Sequence, residues 1–89
     1  MDIKLENWRK QIDIVDEKLL ILLAKRMDIV RKIGKFKKEH QISLFDEKRW
    51  EKVEERNLIK AQTLRLSKYF VKNLLNLIHK YSINLQKEI

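Results

Sequence analysis

Along the first forty positions, apolar residues recur on alternating steps of three and four: Leu5, Trp8, Ile12, Val15, Leu19, Leu22, Ile29, Ile33 and Phe36. That spacing gathers them on one face of a helix and forms the heptad seam of a helix packed on another helix. One seam position, between Leu22 and Ile29, is filled by Arg26, where the pattern requires an aliphatic residue. No Pro interrupts the stretch from about Asp2 to His40, and Gly34 is its only weak helix former of the Gly or Pro type. At 1.5 Å per residue the predicted helix is roughly 57 Å long, longer than a compact domain of this size is wide. Part of its seam must therefore meet another chain, and paired first helices give the simplest two-chain core.

Gln41 to Phe45 lacks helical periodicity and leads into Asp46, a good N-cap, with Phe45 and Trp50 at the N′ and N4 positions of a hydrophobic staple. A second helix is predicted from here to near Arg65, with Trp50, Val53, Asn57, Ala61 and Leu64 on its inner side. Ser67 can cap a third, with Leu66 and Val71 as its staple and Val71, Leu75, Ile78, Leu85 and Ile89 as its buried stripe. Ser82 and Gln86 fall on or beside that stripe, one turn apart and facing the same way. The expected architecture is all-α, with three helices per chain, a long N-terminal helix and an intertwined helical homodimer.

Composition narrows the class. With 89 residues the chain is read as one domain, 1–89, and a monomer of this size buries only about 60 to 65% of its unfolded surface, so a partner subunit would help. The absence of Cys, of a signal-peptide pattern and of a bilayer-length apolar run points to a cytoplasmic protein without disulfides or a thiolate metal site. A net charge of +8 calls for an anionic partner: a nucleic acid, an anionic membrane or a small anionic ligand. Most of the excess is Lys at surface-type positions, so the misplaced polar residues are the more informative ones.

Arg26 and Lys37 are eleven residues apart, about 20° around the helix and roughly 16 Å along it, a gap two long side chains can close. Arg9 lies seventeen residues before Arg26, about 25 Å along the axis and on another side, so it can reach the same ligand only from an antiparallel partner helix. Taken singly, each residue has a plainer reading. Arg26 can set register or pair with a carboxylate such as Asp16 or Asp28. The Ser82 hydroxyl can bond back to its own helix, and Gln86 can be surface. Together they place polar groups from several helices in one interior, where buried polar groups need partners that a small dicarboxylate would supply. His40 and His79 have no metal-ligand spacing and read as surface or helix-end residues. No catalytic triad, Cys nucleophile, P-loop or dinucleotide fingerprint is present, so the chemistry expected needs neither cofactor nor covalent intermediate.

The runs Arg9 to Arg26, Ile33-Gly34-Lys35-Phe36-Lys37, Asp46-Glu47-Lys48-Arg49 and Ser82-Ile83-Asn84-Leu85-Gln86 resemble, in order and spacing, the all-helical chorismate mutases, over about Trp8 to Gln86. The resemblance implies an intertwined three-helix dimer that converts chorismate to prephenate on the route to phenylalanine and tyrosine. It implies that Arg26, and Arg9 from the other subunit, grip the substrate carboxylates, that Lys37 and Gln86 bond its ether oxygen, and that Asp46, Arg49 and Ser82 contact or position its ring hydroxyl and ring carboxylate. Lys37, Gln86 and Arg26 would be the catalytic group. Such residues suffice because the rearrangement is unimolecular and pericyclic: a flexible dianion must be held compact, and charge developing on the breaking C–O bond must be stabilised. Bidentate arginines suit the first task and hydrogen-bond donors the second. The sequence departs from the pattern at Trp50, where many relatives carry a Glu that bonds the hydroxyl and which Glu47 or Glu51 could replace, and at His79, where an aliphatic residue is usual; neither is assigned a catalytic role.

Three other readings stand beside this one. An isochorismate-pyruvate lyase has the same fold and a similar basic site, but retention of Asp46, Arg49, Ser82 and Gln86 looks more like a mutase. A basic helical nucleic-acid-binding protein fits the charge but shows no recognition motif and leaves Arg26, Ser82 and Gln86 unexplained. A catalytically silent regulatory domain of the same fold would differ only in turnover. The expected partners are therefore chorismate and a second copy of the chain, with no nucleic acid and no membrane.

Overall fold

The computed structural model describes residues 2–89. Its elements are three helices, α1 (Ile3–Glu39), α2 (Glu47–Thr63) and α3 (Lys68–Lys87), with no strand among the described residues. Each start is capped by the side chain just before it. Asp2 accepts from the amides of Lys4 and Leu5, Asp46 from Arg49 at 3.0 Å, and Ser67 from Phe70 at 3.2 Å. These acceptors satisfy amides that have no carbonyl within the helix.

The ends of α1 and α2 use one device. Gln41 and Arg65 adopt left-handed φ of 55° and 60°, and the next amides turn back, Ile42 to the Lys37 carbonyl at 2.8 Å and Leu66 to the Ala61 carbonyl at 2.9 Å. This is the Schellman closure, made here without glycine. It ends α2 at Thr63, slightly earlier than the periodicity predicts, and leaves Leu64 57% exposed at the turn instead of on the inner face. His40 caps the end of α1 with its ring stacked on Phe36 at 4.0 Å, as expected of a helix-end residue.

α3 packs against both other helices, while α1 and α2 do not pack on each other. The result is an open V with α3 as its floor. The small core consists of Met27, Val30 and Gly34 from α1, Ala61 from α2, and Val71, Ser82 and Gln86 from α3. On α1 the covered face is thus Met27-Val30-Gly34, adjacent to the heptad seam rather than on it. The seam itself, from Leu5 through Trp8, Ile12, Val15, Leu19 and Leu22, is open.

The molecule is 59 Å long with a radius of gyration of 16.8 Å, against about 12 Å for a compact chain of 89 residues. Its surface is 7908 Å², whereas a compact monomer of this mass exposes about 5,600 Å². The excess is about 2,300 Å², and more than half of the large apolar residues left exposed lie on α1. No helix among the described residues is long and apolar enough to cross a membrane.

Candidate active site

The V encloses a cavity of about 350 Å³. Arg26, Val30, Ile33 and Lys37 of α1 form one wall; Leu44 and the first turns of α2, with Asp46, Arg49, Trp50 and Val53, form the other. His79, Ser82, Ile83 and Gln86 of α3 form the floor. Six of the seven residues singled out from the sequence converge here: Arg26, Lys37, Asp46, Arg49, Ser82 and Gln86.

Arg26 donates to the Ser82 hydroxyl at 2.7 Å across the α1–α3 interface. That hydroxyl donates in turn to the Ile78 carbonyl at 2.7 Å, with the Met27 sulfur 3.7 Å away. The plain reading of Ser82, a hydroxyl bonded back to its own helix, therefore holds, and its oxygen also orients the guanidinium. Arg26 does not pair with a carboxylate. Asp28 pairs with Arg31 at 2.9 Å, and neither Arg26, Lys37 nor Arg49 forms an ion pair among the described residues. Partial burial lowers the pKa of Arg26, because removal from water penalises its charged form. A guanidinium remains protonated at any ordinary pH regardless, so with Lys37 and Arg49 against Asp46 the site holds an excess of positive charge.

Lys37 donates to the Leu44 carbonyl at 3.0 Å, which ties the loop before α2 to α1 and holds the ammonium at the cavity wall. Gln86 is buried, not surface. Its side-chain nitrogen donates to the Ser82 carbonyl at 3.3 Å, while its Oε1 is buried without a partner. An unpaired buried acceptor costs about 1–3 kcal/mol, a sign of a group arranged for something other than stability. The amide has two hydrogens, and the second remains to be donated. Gly34 makes this placement possible: a Cβ there would lie 2.9 Å from Gln86 Cγ and 3.2 Å from its Cβ.

Arg9 is elsewhere. It pairs with Glu6 at 3.1 Å on the exposed arm of α1 and does not line the cavity. The expected staple between Phe45 and Trp50 is instead mediated by His79. Trp50 stacks on that imidazole at 3.9 Å with 16° between planes, and Phe45 meets it at 5.5 Å. His79, read from the sequence as surface or helix end, is thus part of the cavity floor. A signal was present: Leu75, His79, Ser82 and Gln86 fall on steps of four, three and four, which is one helix face. Burial and the nearby Arg26 charge lower the His79 pKa, keeping the ring neutral near pH 7.

A family model described as "Chorismate mutase type II" matches residues 8–87. Among solved structures, a conserved hypothetical protein from Pyrococcus furiosus is similar, with 31% sequence identity, a TM-score of 0.75, and coverage of 97% of this chain and 99% of that one. No curated protein matches.

Proposed function

We propose that this chain, which belongs to the chorismate mutase type II family, converts chorismate to prephenate as an intertwined homodimer. The observation that carries the reading is the convergence of Arg26, Lys37 and Arg49 on one cavity, where Asp46 is the single carboxylate and none of the three cations is ion-paired among the described residues. Three cations against one carboxylate leave a net positive, partly desolvated groove that suits a small dianion.

The positions support the following roles in this reading. Arg26, aimed by Ser82, clamps one substrate carboxylate, and Arg49 at the start of α2 approaches from the opposite wall. Lys37 and the spare hydrogen of the Gln86 amide donate to the ether oxygen as the C–O bond breaks and the new C–C bond forms in one concerted step. No proton is transferred to or from the protein. Rate enhancement comes from holding the two reacting ends together and from donors fixed before the charge develops.

The dimer rests on surface. About 2,300 Å² of excess exposure per chain would give a paired interface within the range of obligate dimers. Antiparallel pairing of the α1 arms would bring the partner subunit's Arg9 over the open side of the cavity, supplying a further carboxylate contact. The test is to incubate purified protein with chorismate, follow its loss, and identify the product. Prephenate is expected. No turnover, or salicylate and pyruvate formed from isochorismate in its place, would refute the assignment.

A further inference from the structure

We propose that His79 contacts the substrate directly, its neutral ring accepting a hydrogen bond from the ring hydroxyl, so that it selects for hydroxyl-bearing dicarboxylates; this rests on the mutase reading above. A buried hydroxyl needs an acceptor, and the cavity is rich in donors instead. Of the acceptors that line it, the Ser82 oxygen takes the Arg26 bond and donates to Ile78. Gln86 Oε1 is sealed from solvent, so a ligand cannot reach it without reorienting the amide. One Asp46 oxygen caps the start of α2, on the cavity wall rather than its floor. The Leu44 carbonyl is held by Lys37.

His79 remains. Its ring interactions are with Trp50 and Phe45, and no hydrogen bond to either ring nitrogen occurs among the described residues. The stack at 3.9 Å holds the imidazole parallel to the Trp50 ring, so its lone pair is confined to that plane before a ligand arrives. Burial and the Arg26 charge disfavour a positive charge on the ring; Lys37 of α1 and Arg49 and Asp46 of α2 also line the cavity. A neutral imidazole presents one acceptor nitrogen, which is what a hydroxyl donor requires.

The test compares chorismate with its analogue lacking the ring hydroxyl, using wild type and His79→Phe, which keeps an aromatic ring against Trp50 but has no acceptor. The expected result is a roughly tenfold rise in KM for chorismate in the variant and none for the deoxy analogue. His79→Gln, neutral and able to accept, is expected to retain the preference for chorismate. Equal losses on both compounds in His79→Phe would overturn the proposal, since they would reflect a disturbed stack. If that variant does not fold, the wild type alone decides: no preference between the two compounds overturns the proposal. An active wild type with equal losses refutes this proposal alone, whereas a wild type that converts neither compound refutes the mutase reading and this one with it.

Discussion

Gly34→Ala separates stability from site geometry. Gly34 sits within α1, where Ala favours the helix by about 0.5–1 kcal/mol. Opposing this, the added Cβ would sit 2.9 Å from Gln86 Cγ and 2.9 Å from Ile89 Cδ1. The Ile89 methyl is the tip of a flexible side chain and can rotate away. Gln86 Cγ cannot move so freely, because its Cβ is also crowded at 3.2 Å and both atoms adjoin the α3 backbone. Overpacking of this kind costs about 1–3 kcal/mol. The two effects partly offset, leaving a net destabilisation of roughly 0–2.5 kcal/mol. Relief requires the last turn of α3 to move off α1 by several tenths of an ångström, and the Gln86 amide moves with it. Displacements approaching 1 Å at a reacting centre can cost on the order of 100-fold in rate, so a tenfold to hundredfold fall in kcat is expected. Denaturant unfolding at matched protein concentration and steady-state kinetics on the same preparation measure both quantities. A variant more stable by the full propensity gain, with wild-type kcat, would show that Gly34 does not govern the approach of α3.

Other outcomes are equally specific. Gln86→Glu should be nearly inactive at neutral pH, where a carboxylate would face the ether oxygen, and should regain activity as pH falls and burial favours the protonated donor; a flat pH profile would remove Gln86 from that oxygen. Arg9→Ala and Arg26→Ala chains should each be inactive but folded, and verified heterodimers of the two should recover a fraction of sites if each site is shared; no recovery would place each site within one chain. Gln41→Gly should raise unfolding stability by up to about 1 kcal/mol, because Gln41 holds a left-handed φ that glycine adopts without strain; an unchanged midpoint would refute this. His79 favours its neutral form in the folded state. As pH falls below about 6.5 the unfolded chain binds this proton first, so stability declines with falling pH and levels off below the folded pKa. His79→Phe should lack that component of the slope when the two pH profiles of stability are compared.

Much of this arrangement is legible in the sequence because local chemistry and periodicity agree. Asp46 and Ser67 cap the helices they were expected to cap, and Arg26, Ser82 and Gln86 stand out as polar residues on apolar faces. Periodicity is less able to say which neighbour a face meets. The α1 seam lies exposed in the single chain, and the face that touches α3 is the adjacent Met27-Val30-Gly34 row. Leu64 fits the α2 stripe in phase but falls just past the last turn, where the backbone reverses at Arg65. His79 was hidden for another reason. Residue type argued for the surface, and only tertiary packing supplied the Trp50 ring that covers it.

The position of Arg26 on α1 has a thermodynamic consequence. It stands where the open apolar arm ends, at Leu23, and the packed stretch begins, at Met27. In the proposed dimer, a dicarboxylate spanning Arg26 and the partner subunit's Arg9 binds only the associated state. Linkage then requires reciprocity: whatever factor association adds to ligand affinity, the ligand takes from the dimer dissociation constant. On dilution, specific activity would fall as dimers separate, and substrate would delay that fall.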